Sequence, residues 1–134
     1  MSPSGKAIQA TVLFSTVLGV AFLWQVYGLV PPFVFDFVAA GWVLFVADSA
    51  LTFLRPAASY VLAFVLALLA LASSLPQSAH YAFIQEGAIA PAATFIVGTA
   101  AQILLVILVP YHFLLGGRRG APGSAEAGDK APPP

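Results

Sequence analysis

Four long apolar segments constrain this chain more than any other feature of its 134 residues. They occupy residues 7–30, 34–54, 58–75 and 92–115. Each is 18 to 24 residues long, and a helix of that length spans a hydrocarbon layer of about 30 Å. Prolines and glycines separate the segments, where they interrupt a helix at the least cost. The pattern predicts an all-α protein: an integral membrane four-helix bundle with antiparallel up-down topology.

The composition supports lipid as the solvent of this chain. Hydrophobic residues make up 60% of it and charged residues only 7%, whereas about a quarter of a soluble domain is charged. The lipid bilayer is therefore the first predicted partner. Five basic residues balance five acidic ones, so there is no basic surface for nucleic acid. Without cysteine the chain has no disulfide framework and no thiolate metal site.

The positions of the charges predict the orientation. Lys6, Arg55, Arg118 and Arg119 fall on one side of a four-span chain, and Glu86 falls on the other. The positive-inside rule then places both termini in the cytoplasm (N-in/C-in), with the spans in the cell membrane. Residues 1–6 are the predicted cytoplasmic N-terminus. The tail, residues 116–134, is rich in Gly, Pro and Ala and is predicted to be disordered and cytoplasmic.

Two segments have alternative interpretations. The first apolar segment exceeds the roughly 7–15 residues of a signal-peptide core and lacks an A-x-A pattern, so we expect an uncleaved helix. The outer loop, residues 76–91, predicts a short interfacial helix over 79–86, capped by Ser78 and ended by Gly87. An interfacial linker is the favoured interpretation of this loop, and a lid over an external cavity is the alternative.

Asp48 is the acid deepest within an apolar segment. At 100° per residue it belongs to one stripe of the second helix, which comprises Gly41, Phe45, Asp48, Thr52 and Arg55. A charged group is costly in lipid, so the stripe should face the protein interior. A direct or water-bridged pair with Arg55, about 10 Å along the axis, is the favoured interpretation. An aspartate that carries protons or ions is the alternative.

Other polar residues within the segments are interpreted as packing groups. The fourth segment has a stripe of Thr94, Gly98, Ala101, Gln102, Leu105 and His112, in which Gln102 is expected to hydrogen-bond to a neighbouring helix. Small residues line the first and third segments in the same way. Asp36 is expected in the first turn of the second helix, where the helix dipole favours an acid. A cation site of Asp36, His80 and Glu86 is its alternative.

No catalytic or cofactor motif is present in the sequence. There is no P-loop, no H-E-x-x-H and no G-x-S-x-G, so no enzyme, cofactor or metal site is predicted. His80 and His112 lie about a membrane thickness apart, which excludes bis-histidine haem ligation within one chain but leaves a single axial His or ligation across a subunit interface. The chain resembles small four-helix drug exporters in size and span number. Those proteins carry an essential acid in the first helix, which is missing here, so no family is assigned.

Two functions follow as hypotheses. The first is a structural or accessory subunit that packs, through its small-residue faces, against other membrane-protein subunits or against itself as a homo-oligomer. The second is a small oligomeric transporter or channel in which Asp48, Thr52 and Gln102 line a polar path. The candidate intramembrane polar residues are Asp48, Arg55, Thr52, Gln102 and His112.

Overall fold

A computed structural model describes the backbone of residues 2–120 and the side chains of residues 2–116. Over this range the protein is all-helical, without a strand. The elements are α1 (Pro3–Val26), α2 (Pro32–Leu54), α3 (Pro56–Ser74), α4 (Ser78–Gln85) and α5 (Ile89–Gly120). Four of them, α1, α2, α3 and α5, are long and apolar enough to cross a membrane. The tail was predicted to be disordered over residues 116–134. Residues 116–120 belong to α5 instead, and residues 121–134 lie outside the described residues.

The long helices begin earlier than the apolar segments do, because proline starts three of them. Pro3, Pro32 and Pro56 occupy the first turns of α1, α2 and α3, where the missing N–H would have had no helical partner. In α1, Ser2 adds a side-chain cap by accepting from the backbone N–H of Gly5 at 3.1 Å. One prediction is wrong as a result. Asp36 lies beyond the first turn of α2, and its side chain is exposed.

Glycine ends α4 and follows the end of α1. Gly28 and Gly87 adopt φ angles of +77° and +71°, a conformation that other residues rarely reach. After α4, the N–H of Gly87 donates to the carbonyl of Ile84, and the N–H of Ala88 donates to that of Phe83, which is a Schellman motif. The predicted stop at Gly87 is confirmed. The predicted cap at Ser78 is wrong, since Ser78 is the first helical residue and Gln77 precedes it without a side-chain cap.

The four long helices pack in a closed ring of neighbours. Helix α1 contacts α2 and α5, helix α3 contacts the same two, and α4 lies against α5. Helices α1 and α5 run antiparallel, since Oγ of Ser4 at the start of α1 lies within hydrogen-bonding distance of Nδ1 of His112 near the end of α5. The turns are short, and a single residue, Arg55, joins α2 to α3. Short connections of this kind make consecutive helices adjacent.

The core fills one half of the length of this ring of helices, measured along the helix axes. We call it the packed half, and it consists of Ile8, Val12, Phe45, Tyr60, Ala63, Leu66, Ala67, Leu105 and Val109. It lies toward the end of the molecule that holds the α2–α3 turn. Small side chains of α3, among them Ser59, Ala63 and Ala67, are buried there and let the neighbouring helices approach closely. Large apolar side chains such as Phe14, Leu54 and Ile107 point outward instead.

Candidate functional site

The polar stripe of α2 faces the interior, as its spacing predicts. Phe45, Asp48 and Thr52 are the buried residues of this helix, and the side chains of Asp48 and Thr52 are inaccessible to solvent. Their spacing of three and four residues places them on one face of a helix. Helical periodicity therefore suffices to predict that this acid faces the protein interior.

The environment of Asp48 lacks the direct form of the predicted pair with Arg55, and the water-bridged form stays a prediction. Among the described side chains, neither carboxylate oxygen of Asp48 has a hydrogen-bond partner, and the same holds for Oγ1 of Thr52. Ser59 donates to the backbone carbonyl of Asp48, at 3.4 Å, and not to its carboxylate. Arg55 is exposed in the turn, with φ −142° and ψ 77°. The direct Asp48–Arg55 pair is absent because α2 ends at Leu54, so the helical stripe does not continue to Arg55.

His112 joins three helices at the end where α1 begins. Its Nδ1 lies 2.7 Å from Oγ of Ser4 and 3.4 Å from Oγ of Ser2. Its ring meets the ring of Tyr60 edge-on, at 5.1 Å between centroids, and the Tyr60 hydroxyl donates to the carbonyl of Gly5. The sequence analysis missed Ser4 as a partner of His112 because it did not include residues 3–6 in the first helix.

Polar side chains also join α1 to its two neighbours in mid-helix. The predicted cross-helix bond of Gln102 is confirmed, since its Nε2 donates to Oγ of Ser15 at 3.2 Å, whereas its Oε1 is buried without a partner among the described residues. On the α2 side, Oγ1 of Thr16 lies 2.7 Å from Oγ of Ser49. The indole N–H of Trp42 donates to the carbonyl of Thr16 at 2.9 Å.

A cavity of about 360 Å³ lies beyond the packed half along the helix axes, toward the other end of the molecule. All five helices line it. Phe45 and Leu66 of the packed half form its floor together with Ser15 and Gln102. Its volume falls in the range of roughly 300–1,000 Å³ that is usual for small-molecule sites. None of the described residues that line it is charged. Asp48 is not among them, so the cavity and the buried acid are separate features.

His80 of α4 is part of the cavity wall. The residue is only 8% exposed. Its Nδ1 lies 2.9 Å from the carbonyl of Ser74 at the end of α3, and its ring stacks on Phe95 of α5 at 4.5 Å and 14°. These contacts hold α4 against α3 and α5 at the cavity wall, and the linker and lid interpretations of residues 76–91 both stay predictions. The sequence feature that indicates a buried face on α4 is the three-residue spacing of His80 and Phe83, which are both buried.

Within residues 2–116, whose side chains the structure describes, histidines and acids do not assemble into a metal site. His80 contacts the end of α3, and His112 contacts Tyr60 near its start, so the two imidazoles lie at opposite ends of the helix. No group of three His, Asp or Glu residues that could hold a metal ion occurs among the described residues. The alternative cation site of Asp36, His80 and Glu86 is therefore not formed.

Comparisons of the chain with models of protein families, with curated proteins and with solved structures give no match. Interpretation of the cavity and of the buried polar residues therefore depends on their geometry alone.

Proposed function

We propose that the chain is an integral membrane protein, a bundle of four spanning helices in the cell membrane with both termini cytoplasmic. The apolar outer faces of the four long helices support the membrane location, because in water they would be exposed at great cost. The contact between Ser4 and His112 supports placing the start of α1 and the end of α5 on the same side. Lys6 and Arg55 belong to that side, and the positive-inside rule makes it the cytoplasmic one.

Within this class we propose a structural or accessory subunit, which packs against other membrane subunits or a second copy of itself. The observation that carries this choice is the enclosure of Asp48. Its side chain is inaccessible and lies outside the cavity lining, so no continuous polar path leads from the cavity to the acid. A conducting route would need water or polar groups at every depth.

The docking surface of such a subunit differs from the one that the sequence suggested. Small residues of α1 and α3, such as Ser15, Ala63 and Ala67, are buried within this chain and are therefore used in its own packing. A partner would instead contact the large apolar side chains that point outward from the helices, for example Phe14 and Val17 of α1. Van der Waals packing of such faces can hold helices together in lipid.

A transporter or channel is the second candidate, and the unpartnered carboxylate of Asp48 favours it. An enclosed acid without a hydrogen bond is costly, and ionisable residues within a membrane commonly mark ion or proton pathways. Oγ1 of Thr52 and Oε1 of Gln102 are likewise buried without partners among the described residues. In this alternative, rearrangement of the helices would connect Asp48 and Thr52 to the cavity, which Gln102 already lines.

Flux measurements distinguish the two candidates. The purified chain is reconstituted in liposomes that contain a pH-sensitive dye, and the wild type is compared with Asp48→Asn and with Asp36→Asn. Asp36 is exposed and provides the matched control. The subunit proposal expects no proton flux above that of empty liposomes for any variant, and co-purification of other membrane proteins in mild detergent. Flux that Asp48→Asn abolishes and Asp36→Asn retains would overturn it in favour of the transporter.

A further inference from the structure

We propose that the cavity binds an uncharged, lipid-soluble phenol, which is an apolar molecule that combines an aromatic ring with a hydroxyl group. The cavity is separate from Asp48, so this inference does not depend on the choice between subunit and transporter, although it rests on the proposed membrane location. Three properties of the cavity define the ligand. They are the lack of fixed charge among its described lining residues, its aromatic side chains and the hydrogen-bonding state of His80.

The lining excludes a charged ligand. Serine, threonine, glutamine and histidine supply the polar groups of the lining, and none of its described residues carries a fixed charge. An ion moved from water or from the headgroup layer into such a site would lose its solvation without gaining a counter-charge. A neutral molecule with few polar atoms meets no such cost.

Aromatic side chains from three helices favour a flat ring in the ligand. Phe22 of α1, Phe37 and Trp42 of α2 and Phe95 of α5 all line the cavity. Aromatic pairs in stacked or edge-to-face arrangements contribute binding free energy beyond that of the area that they bury. A ligand with an aromatic ring can use these faces in a way that a saturated chain cannot.

His80 supplies the reason for a hydroxyl group. A carbonyl oxygen only accepts hydrogen bonds, so in the neutral form of the imidazole the 2.9 Å contact with Ser74 places the proton on Nδ1. Nε2 is then an acceptor, and it has no hydrogen-bond partner among the described residues. Stacking on Phe95 fixes the plane of the ring. A phenolic O–H is a donor of the kind that Nε2 lacks.

The ligand would enter from the membrane. Three residues that line the cavity are themselves well exposed: Phe37 at 65%, Leu44 at 49% and Leu69 at 59%. They belong to α2 and α3, so the mouth of the cavity lies between these helices, on an apolar outer face. A molecule dissolved in the lipid reaches such an opening without crossing water.

Trp42 provides a direct measure of occupancy. The chain has two tryptophans, and Trp24 lies on the outer surface, so Trp24→Phe leaves the cavity residue as the single fluorophore. The full chain in lipid nanodiscs is titrated with 3-bromo-4-octylphenol, whose bromine quenches indole fluorescence on contact, and with its methyl ether. We expect saturable quenching, with the ether binding about three- to tenfold more weakly because it lacks the donor.

Two pairs of variants test the site. His80→Phe keeps an aromatic ring against Phe95 but removes the acceptor, and should abolish the preference for the phenol. Its control is Tyr81→Phe, which also removes a bond from α4 to the end of α3 but does not line the cavity, and should retain the preference.

Gly98→Leu should fill the cavity, since nothing lies within 4 Å of its position for a Cβ, and should abolish saturable quenching. Gly116→Leu, with equal space but outside the cavity, should retain it.

Several results would overturn the proposal. Quenching that increases linearly and equally for phenol and ether would show partition into lipid only. A preference for the phenol that survives His80→Phe would remove His80 from the site. Saturable quenching that persists in Gly98→Leu would place the probe outside the cavity, and this variant remains decisive if His80→Phe fails to fold.

Discussion

At the scale of single residues, an enclosed acid is the most costly feature of this protein. The carboxylate of Asp48 has no hydrogen-bond partner among the described residues, whereas Arg55 is exposed in the turn. In an apolar environment such a group must become protonated or recruit water. The energetic roles of Asp48 and Arg55 should therefore be independent.

This independence is testable by a double-mutant cycle in detergent. Asp48→Asn replaces an unpaired carboxylate with a neutral group of the same shape, so we expect unchanged or higher stability. Arg55→Leu alters an exposed side chain and should change the free energy of unfolding by about 0.5 kcal/mol or less. The double variant should equal the sum within about 0.5 kcal/mol. A coupling energy above about 1 kcal/mol, measured by thermal unfolding, would restore the ion pair.

Which residues become buried was predictable, and which atoms meet was not. The period of 3.6 residues fixes the face on which Phe45, Asp48 and Thr52 lie, and depth alone suggested a cross-helix bond for Gln102. The partner of Gln102, Ser15, depends on how far α1 and α5 are rotated and shifted against each other. Hydropathy carries no information on that register, so the partners of His112 and Asp48 could not be derived.

At the scale of helices, one close contact fixes α1 against α2. The indole of Trp42 covers Gly19, and a Cβ at position 19 would overlap Cδ1 of that ring. The same indole donates its N–H to Thr16, one turn away on α1. Gly19 therefore provides the space in which Trp42 reaches the backbone of α1.

Gly19→Ala should destabilise the protein in spite of the higher helix propensity of alanine. Overpacking a fixed ring costs about 1–3 kcal/mol, against a propensity gain of about 1 kcal/mol. Gly41→Ala is the matched control, because a Cβ at Gly41 meets no atom within 4 Å, and it should be neutral or stabilising. Thermal unfolding of both variants in the same detergent provides the comparison. A Gly19→Ala protein as stable as the control would show that Trp42 moves aside without cost.

The number of helices and their turns were evident from the sequence, and their ends less so. Hydropathy marks apolar segments, but a helix continues into polar residues when a cap stabilises them. Ser2 and Pro3 therefore start α1 four residues before the apolar run does. The cavity was beyond sequence reasoning, because it depends on how side chains of five helices meet in space, which their individual hydropathy patterns do not specify.

At the scale of the whole molecule, the two ends of the helix ring differ in packing. Small side chains and branched apolar groups fill the half near the α2–α3 turn, and the opposite half encloses the cavity. The proposed orientation places the packed half on the cytoplasmic side and the cavity with α4 on the outer side.

Cysteine labelling tests this orientation on a chain that has no cysteine of its own. Gln85→Cys and Ala57→Cys replace exposed residues at opposite ends of the molecule. A membrane-impermeant maleimide should label Gln85→Cys in intact cells and Ala57→Cys only after permeabilisation. Labelling of Ala57→Cys alone in intact cells would invert the orientation, and labelling of both would contradict four spans.

The single residue between α2 and α3 also has a mechanical consequence. With only Arg55 between them, these helices cannot slide apart at the turn, so their relative motion reduces to a tilt about that point. Leu69, at the mouth of the cavity, is 14 residues or about 21 Å along α3 from the pivot. A tilt of about 10° would displace it by about 3.5 Å, roughly the thickness of an aromatic ring. In such a motion the turn would act as a hinge, and the displacement would be largest at the cavity mouth.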